Sequence, residues 1–223
     1  MQYKMFLLSG LLTAGLFAAD TVKRLANSAE VFQEIMEVAD RAIPQKLLDK
    51  SECIVVVPGM KKGAFFVGGK YGRGFVSCRR SPGGWGPAAA IRVEGGSFGL
   101  QIGGAETDVI MLIMNQRGVK RLSQSKFTLG ADASVAAGPV GRQATAETDA
   151  LMTAEILTWS RSRGVFAGLS LQGATLRPDR DANVELYKQP WGIQQIVESG
   201  LEPPEPTRKL LELLNKYSSR KTG

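Results

Sequence analysis

From Cys53 to Met114 the chain advances in short apolar or alternating runs, each broken by glycine, and this pattern limits the fold more than any other feature of the sequence. The runs are Cys53 to Val57, Gly63 to Gly69, Gly74 to Arg79, Pro87 to Glu94, Ser97 to Gly103 and Val109 to Met114. Apolar stretches this short, with glycine punctuation, are strands and not helices, and their brief connections make them largely antiparallel. Ser81-Pro82-Gly83-Gly84 reads as a turn between two of them. Gly95-Gly96 and Gly103-Gly104 read as turns or bulges, and Gly69-Lys70-Tyr71-Gly72-Arg73-Gly74 as a hairpin turn with basic decoration. A content of 26 glycines against 7% aromatic residues fits a β-rich chain. Its length of 223 residues is enough for one domain with a substantial core.

Helical periodicity flanks the strands. Between Thr21 and Ile43, Leu25, Ala29, Phe32, Ile35, Met36, Ala39 and Ile43 fall on one face of an amphipathic helix that Pro44 ends. Lys23, Arg24 and Arg41 flank that face and would suit a membrane surface, while Glu30, Glu34, Glu37 and Asp40 occupy much of the polar side and weaken that attraction, so the helix is expected to dock on its own domain. A short helix is expected at Arg117 to Leu122 and alternation from Lys126 to Ala137. A hairpin joins Ala154–Ser160 to Val165–Leu171 around Arg161-Ser162-Arg163-Gly164. Helices are expected over Pro178–Lys188 and Pro190–Ser199. Pro203-Pro204-Glu205-Pro206 reads as a stiff linker, followed by an amphipathic helix carrying Leu210, Leu211, Leu213, Leu214 and Tyr217. That tail helix is expected to dock on the domain, with a protein partner or a membrane as the other readings.

The first residues have the anatomy of a secretory signal: Lys4, then the apolar run Met5 to Phe17, then Ala18-Ala19 before Asp20. Phe17 is a poor residue two positions before the junction, so an uncleaved anchor stays open beside cleavage. No cysteine follows the run to carry a lipid. The resulting division is 1–19 signal, 20–200 folded domain, 201–223 linker and tail helix, with an exported, periplasmic or secreted location. Cys53 and Cys78, the only cysteines, form either one bridge or two buried thiols.

Several blocks resemble the SYLF domain. They are Gly83-Gly84-Trp85-Gly86-Pro87-Ala88, Gly99-Leu100-Gln101-Ile102-Gly103, Thr107-Asp108, Ser134 to Arg142, Ser160 to Gly173, and Asp181-Ala182-Asn183 with Tyr187. The resemblance spans roughly Ile43 to Pro190. It implies a lipid-binding domain of the kind found in bacterial exported proteins and eukaryotic endocytic adaptors, where phosphoinositides and, in fungal members, actin are bound. Since an export signal would separate the chain from a cytoskeleton, actin is not expected as a partner. The expected fold is α+β: a mainly antiparallel twisted sheet or partial barrel, an N-terminal amphipathic helix and short C-terminal helices.

The absence of histidine excludes Ser-His-Asp and Cys-His catalysis, histidine zinc sites and an imidazole proton shuttle. No cofactor, metal or catalytic residue is expected. Glu94, Glu106 and Asp108 are the carboxylates closest together, and nothing in the linear sequence pairs them. What remains is basic. The net charge is +7, and Lys61, Lys62, Lys70, Arg73, Arg79, Arg80, Arg161 and Arg163 fall at expected strand ends or turns, where they can reach anionic lipid or a membrane surface. The cations are scattered and lack a nucleic-acid-binding motif, so nucleic acid is not an expected partner.

Overall fold

The computed structural model describes residues 9–38, 42–65, 67–80, 83–98, 103–139, 153–162, 165–166 and 171–218. Helices α1 (Ser9–Glu37) and α2 (Gln45–Lys50) precede four long strands: β1 (Cys53–Phe65), β2 (Val67–Cys78), β3 (Ala89–Phe98) and β4 (Gly103–Ile113). Then come α3 (Gln116–Leu122), β5 (Phe127–Thr128), β6 (Val135–Ala137), β7 (Ile156–Ser162), β8 (Val165–Phe166), β9 (Thr175–Pro178), α4 (Arg180–Tyr187) and α5 (Ile193–Val197). A 3-10 turn at Glu205–Thr207 leads into α6 (Arg208–Tyr217). The strands form one curled half-barrel sheet in the order β5-β9-β3-β2-β1-β4-β7-β6, with β8 paired to β7. Of the pairs, β6 with β7 is parallel and the rest are antiparallel.

Six expected strands are thus four. Gly69 to Gly74 is the middle of β2 and not a turn: Gly69, Gly72 and Gly74 pair across to Gly96, Val93 and Ile91 of β3. Gly95-Gly96 and Gly103-Gly104 likewise lie within strands. Two of these glycines are required by close approach. A Cβ on Gly74 would sit 2.1 Å from the Val56 carbonyl oxygen, and one on Gly72 would sit 2.6 Å from a Val57 methyl. Glycine inside a strand marks such proximity as readily as it marks a turn.

Because strand side chains alternate, β1 and β4 feed two cores. Ile54, Val56, Ile110 and Leu112 face α1, α2 and α6, where Leu25, Phe32, Ile35, Leu47, Leu48, Leu210 and Leu214 are buried. Cys53, Val55, Val57, Val109, Met111 and Ile113 face Leu122, Phe127, Leu176, Ile193 and Ile196 on the other side. Trp159 and Ile156 of β7 lie on opposite faces, in the first and second core respectively. The tail helix docks: Leu210, Leu211 and Leu214 enter the first core, and the Tyr217 ring meets Phe32 edge-on with centroids 5.8 Å apart.

The expected first helix is displaced at both ends. It begins at Ser9 and passes through Ala19-Asp20 without a break, and it stops at Glu37. Pro44 disfavours helix in the residue before it and stands as N-cap of α2, which the sequence reading lacked. Also unforeseen is β9, which pairs with β3 and β5; α4 starts from an Asp179 N-cap instead of Pro178. Among the described residues no helix is long and apolar enough to cross a membrane.

Cys53 and Cys78 face each other in the β1–β2 register and are bridged. The bridge closes a loop with a sequence separation of 25, so replacing both cysteines by alanine is expected to lower stability by about 3 kcal/mol, measured as the drop in urea-unfolding free energy against the oxidised chain.

Candidate functional site

The apolar run of β1 ends at Pro58-Gly59, and there the ladder slips. The register to β4 shifts between Val57 and Met60, and the register to β2 between Val56 and Lys61. Proline has no N–H to donate, so inside a central strand it belongs at a bulge, and Gly59 takes the left-handed conformation with φ 57°. The Gly59 N–H, turned out of the ladder, donates to Asp108 Oδ1 at 2.9 Å. Bulges of this kind re-aim the strand and its side chains.

Over the bulge lies α1, leaving a cleft of about 920 Å3 between helix and sheet. Its helical wall carries Asp20, Lys23, Arg24, Asn27, Glu30 and Glu34. Lys61, Tyr71, Arg73, Glu106, Asp108 and Arg161 rise from β1, β2, β4 and β7. Ion pairs bridge helix to sheet in two groups. In one, Arg161 Nη2 contacts Asp108 Oδ2 at 2.9 Å and reaches Glu34 on α1. In the other, Arg73 Nε donates to Asp179 Oδ2 at 2.6 Å, its Nη1 lies 3.3 Å from Asp20 Oδ2, and Arg24 also pairs with Asp20. Thr21 donates to Glu185 of α4 close by.

Burial alone would lower the pKa of the Arg73 guanidinium, but the hydrogen bond and charge of Asp179 outweigh it and the pKa is raised above its ordinary value. Arg161 behaves alike, with burial opposed by Asp108 and Glu34 and a net upward shift. Both are fixed cations. Burial also pushes the Tyr187 hydroxyl up, and that group donates to the Ala88 carbonyl at 2.7 Å.

Magnitudes separate docking from alignment. Burying Leu25, Phe32 and Ile35 stabilises by about 2 kcal/mol each, against about 1 kcal/mol or less for a partly exposed ion pair. The apolar face therefore holds α1 down, and the two charge groups set its height and heading over the sheet.

The expected basic residues divide. Lys61, Arg73 and Arg161 come together in the cleft. Lys62 pairs in register with Lys70 of β2, and alternation turns the Lys70 side chain to the opposite face from its neighbour Tyr71. Arg79 lies at the far end of β2. It stacks 4.0 Å over Trp85 and donates to the Ser51 and Leu48 carbonyls and to Ser218, tying α2 to the end of α6. Arg80 follows it, half-buried beside Gly86. Arg163 lies outside the described residues. Sequence reasoning missed the acids of the helical wall, and it left Glu106 and Asp108 apart although their i,i+2 spacing on β4 puts both in the cleft. Glu94 instead pairs with Arg92 at 2.9 Å and Arg177 at 3.6 Å. Among the described residues no cluster of three or more acidic or cysteine side chains is placed to hold a metal.

Comparison with known proteins gives the cleft a context. The family model described as "Ysc84: Las17-binding protein actin regulator" matches residues 94–217. "LAS seventeen-binding protein 3" of Saccharomyces cerevisiae is 31% identical over 179 residues, covering 79% of this chain and 39% of that protein. The human "SH3 domain-containing YSC84-like protein 1" is 28% identical over 199 residues, covering 86% of this chain and 58% of its own length. The chain thus spans well under two thirds of these relatives. The expectation that actin is not a partner is corrected here: it rested on the leader-like N-terminus, whereas the matching family model is described as an actin regulator.

Gly59→Ala is expected to destabilise the chain by roughly 1–2 kcal/mol through its left-handed backbone, and a new Cβ would also displace the Glu106 carboxylate, which lies 2.6 Å from that position. Phe32→Ala should cost about 4 kcal/mol and Glu34→Gln about 0.5 kcal/mol; chemical denaturation of the three variants checks the order.

Proposed function

Because the chain belongs to the Ysc84 family, the family of the SYLF resemblance, we propose that it is a non-catalytic recognition module that engages protein partners of the actin-regulating class through the cleft under α1. The observation that carries this reading is the cleft's charge balance. Five cations (Lys23, Arg24, Lys61, Arg73, Arg161) stand with five carboxylates (Asp20, Glu30, Glu34, Glu106, Asp108). The three arginines are engaged in ion pairs. Lys23, Lys61, Glu30 and Glu106 are exposed beside Tyr71, which is 48% exposed. Lysines and glutamates interleaved around an aromatic ring complement another protein surface, where charges of both signs fix register.

A second reading, an anionic membrane surface, draws on the net charge of +7 and on the two exposed cleft lysines. A headgroup layer of one sign would meet Glu30 and Glu106 together with those lysines, which weakens that attraction.

Co-sedimentation of the full chain with purified actin filaments, and in parallel with anionic vesicles across a salt series, separates the two. Pelleting with filaments is expected, with Tyr71→Ala weakening it about tenfold. Pelleting with vesicles alone, fading with salt, would transfer the function to the membrane, and pelleting with neither would overturn both readings.

A further inference from the structure

Arg24, Asp20, Arg73 and Asp179 form a closed ring of alternating charge on the cleft wall. Asp179 Oδ2 lies 2.6 Å from Arg73 Nε and 3.8 Å from Arg24 Nη1. Asp20 Oδ2 lies 3.3 Å from Arg73 Nη1 and also contacts Arg24 Nη2. The two carboxylates are unequal. The Asp179 side chain is 5% exposed and caps α4, accepting from the Ala182 N–H at 3.5 Å. That of Asp20 is 56% exposed, and the two guanidiniums are its recorded partners among the described residues.

We propose that the Arg24–Arg73 pair is a carboxylate-binding site which Asp20 fills in this conformation, and that a carboxylate from an acidic segment of a protein partner takes its place. The inference rests on the recognition-module reading and names the partner's chemistry. Two guanidiniums held against one buried aspartate leave a positive charge. The Arg24 side chain is only 9% exposed, so that charge is poorly solvated and attracts a replacement anion strongly. Arg24 Nη1 is buried without a hydrogen bond, so the ring is under-satisfied even with Asp20 in place. The present occupant shows which chemistry fits: a planar carboxylate on a short stem. Lys23 and Lys61, exposed on the same cleft, are available to the neighbouring acids of such a segment. A flat headgroup layer is a poorer match, because the site lies on the wall of a recess beneath α1, which an extended chain can enter.

Swinging one exposed side chain aside opens the site without moving α1. Asp20 therefore acts as an internal competitor, lowering the apparent affinity by the fraction of time it occupies the pair.

The test is fluorescence anisotropy of a fluorescein-labelled hexaglutamate peptide with the full chain. Asp20→Asn should tighten binding about tenfold. Glu37→Gln makes the same change in net charge on an exposed residue of α1 outside the cleft and frees no arginine, so it should change affinity less than about twofold. The gain should vanish in Asp20→Asn/Arg73→Lys, where a cation remains on Asp179 but the guanidinium fork is gone; thermal melts verify that each variant folds. Equal responses to Asp20→Asn and Glu37→Gln, or a gain that survives Arg73→Lys, would overturn the site. Phosphatidylglycerol vesicles that respond to Asp20→Asn while the peptide does not would overturn the peptide assignment. A response to Asp20→Asn without actin pelleting would leave this site standing and sink the broader reading, and actin pelleting without that response would do the reverse.

Discussion

Strand β1 is covered on both faces from Cys53 to Val57, and most of the structure follows from that burial. Every side chain in the run enters one of two cores, so the segment must be apolar without alternation. Its neighbours β2 and β4 must then present hydrogen-bonding partners along nearly its whole length. The two cores recruit what lies beyond the sheet: α1, α2 and α6 close one face, and α3, α5, β5 and β9 close the other. A charged group in the run would be unpaired and costly. Polar chemistry is thereby confined to where the burial stops.

It stops at Pro58-Gly59. Past the bulge, β1 carries Lys61 into solvent and Gly59 offers its N–H to Asp108, which also holds Arg161, which in turn reaches Glu34 of α1. A local backbone irregularity is coupled through two side chains to the position of a helix. The second charge group, around Arg73 and Asp179, ties the same helix to β2 and α4. The cleft between them has walls fixed by ion pairs and a floor fixed by the strand, so its opposite charges are presented in a set geometry, as recognition of a charged partner requires.

The long strands were legible in their apolar runs, though as six pieces and without β9, and the helices in their periodicity except α2, with α3 and the docked tail among those found. What was not legible comes from contacts distant in sequence. Glycines at 72 and 74 look like turn residues until Val56 and Val57 are seen against them. The basic clusters looked alike in one dimension, yet Lys61, Arg73 and Arg161 meet in the cleft while Trp85 with Ser218 draws Arg79 into structural service. Glu30 and Glu34 were visible on the polar face of α1, but the ion pairs of the cleft depend on arginines distant in sequence, Arg73 for Asp20 and Arg161 for Glu34. Pro58-Gly59, directly after the apolar run Cys53 to Val57, is the one local signal that points to the site, because proline in a central strand implies a bulge.

The central claim is that recognition takes place in the cleft between α1 and the β1 bulge. Hydrogen exchange of the full chain, with and without actin filaments, tests it most directly. The account predicts added protection across the Asp20 to Glu34 stretch of α1, at Gly59 to Lys61 and at Tyr71 to Arg73. Protection confined to the ends of α2 and α6 around Arg79 and Ser218, with the cleft unchanged, would contradict it.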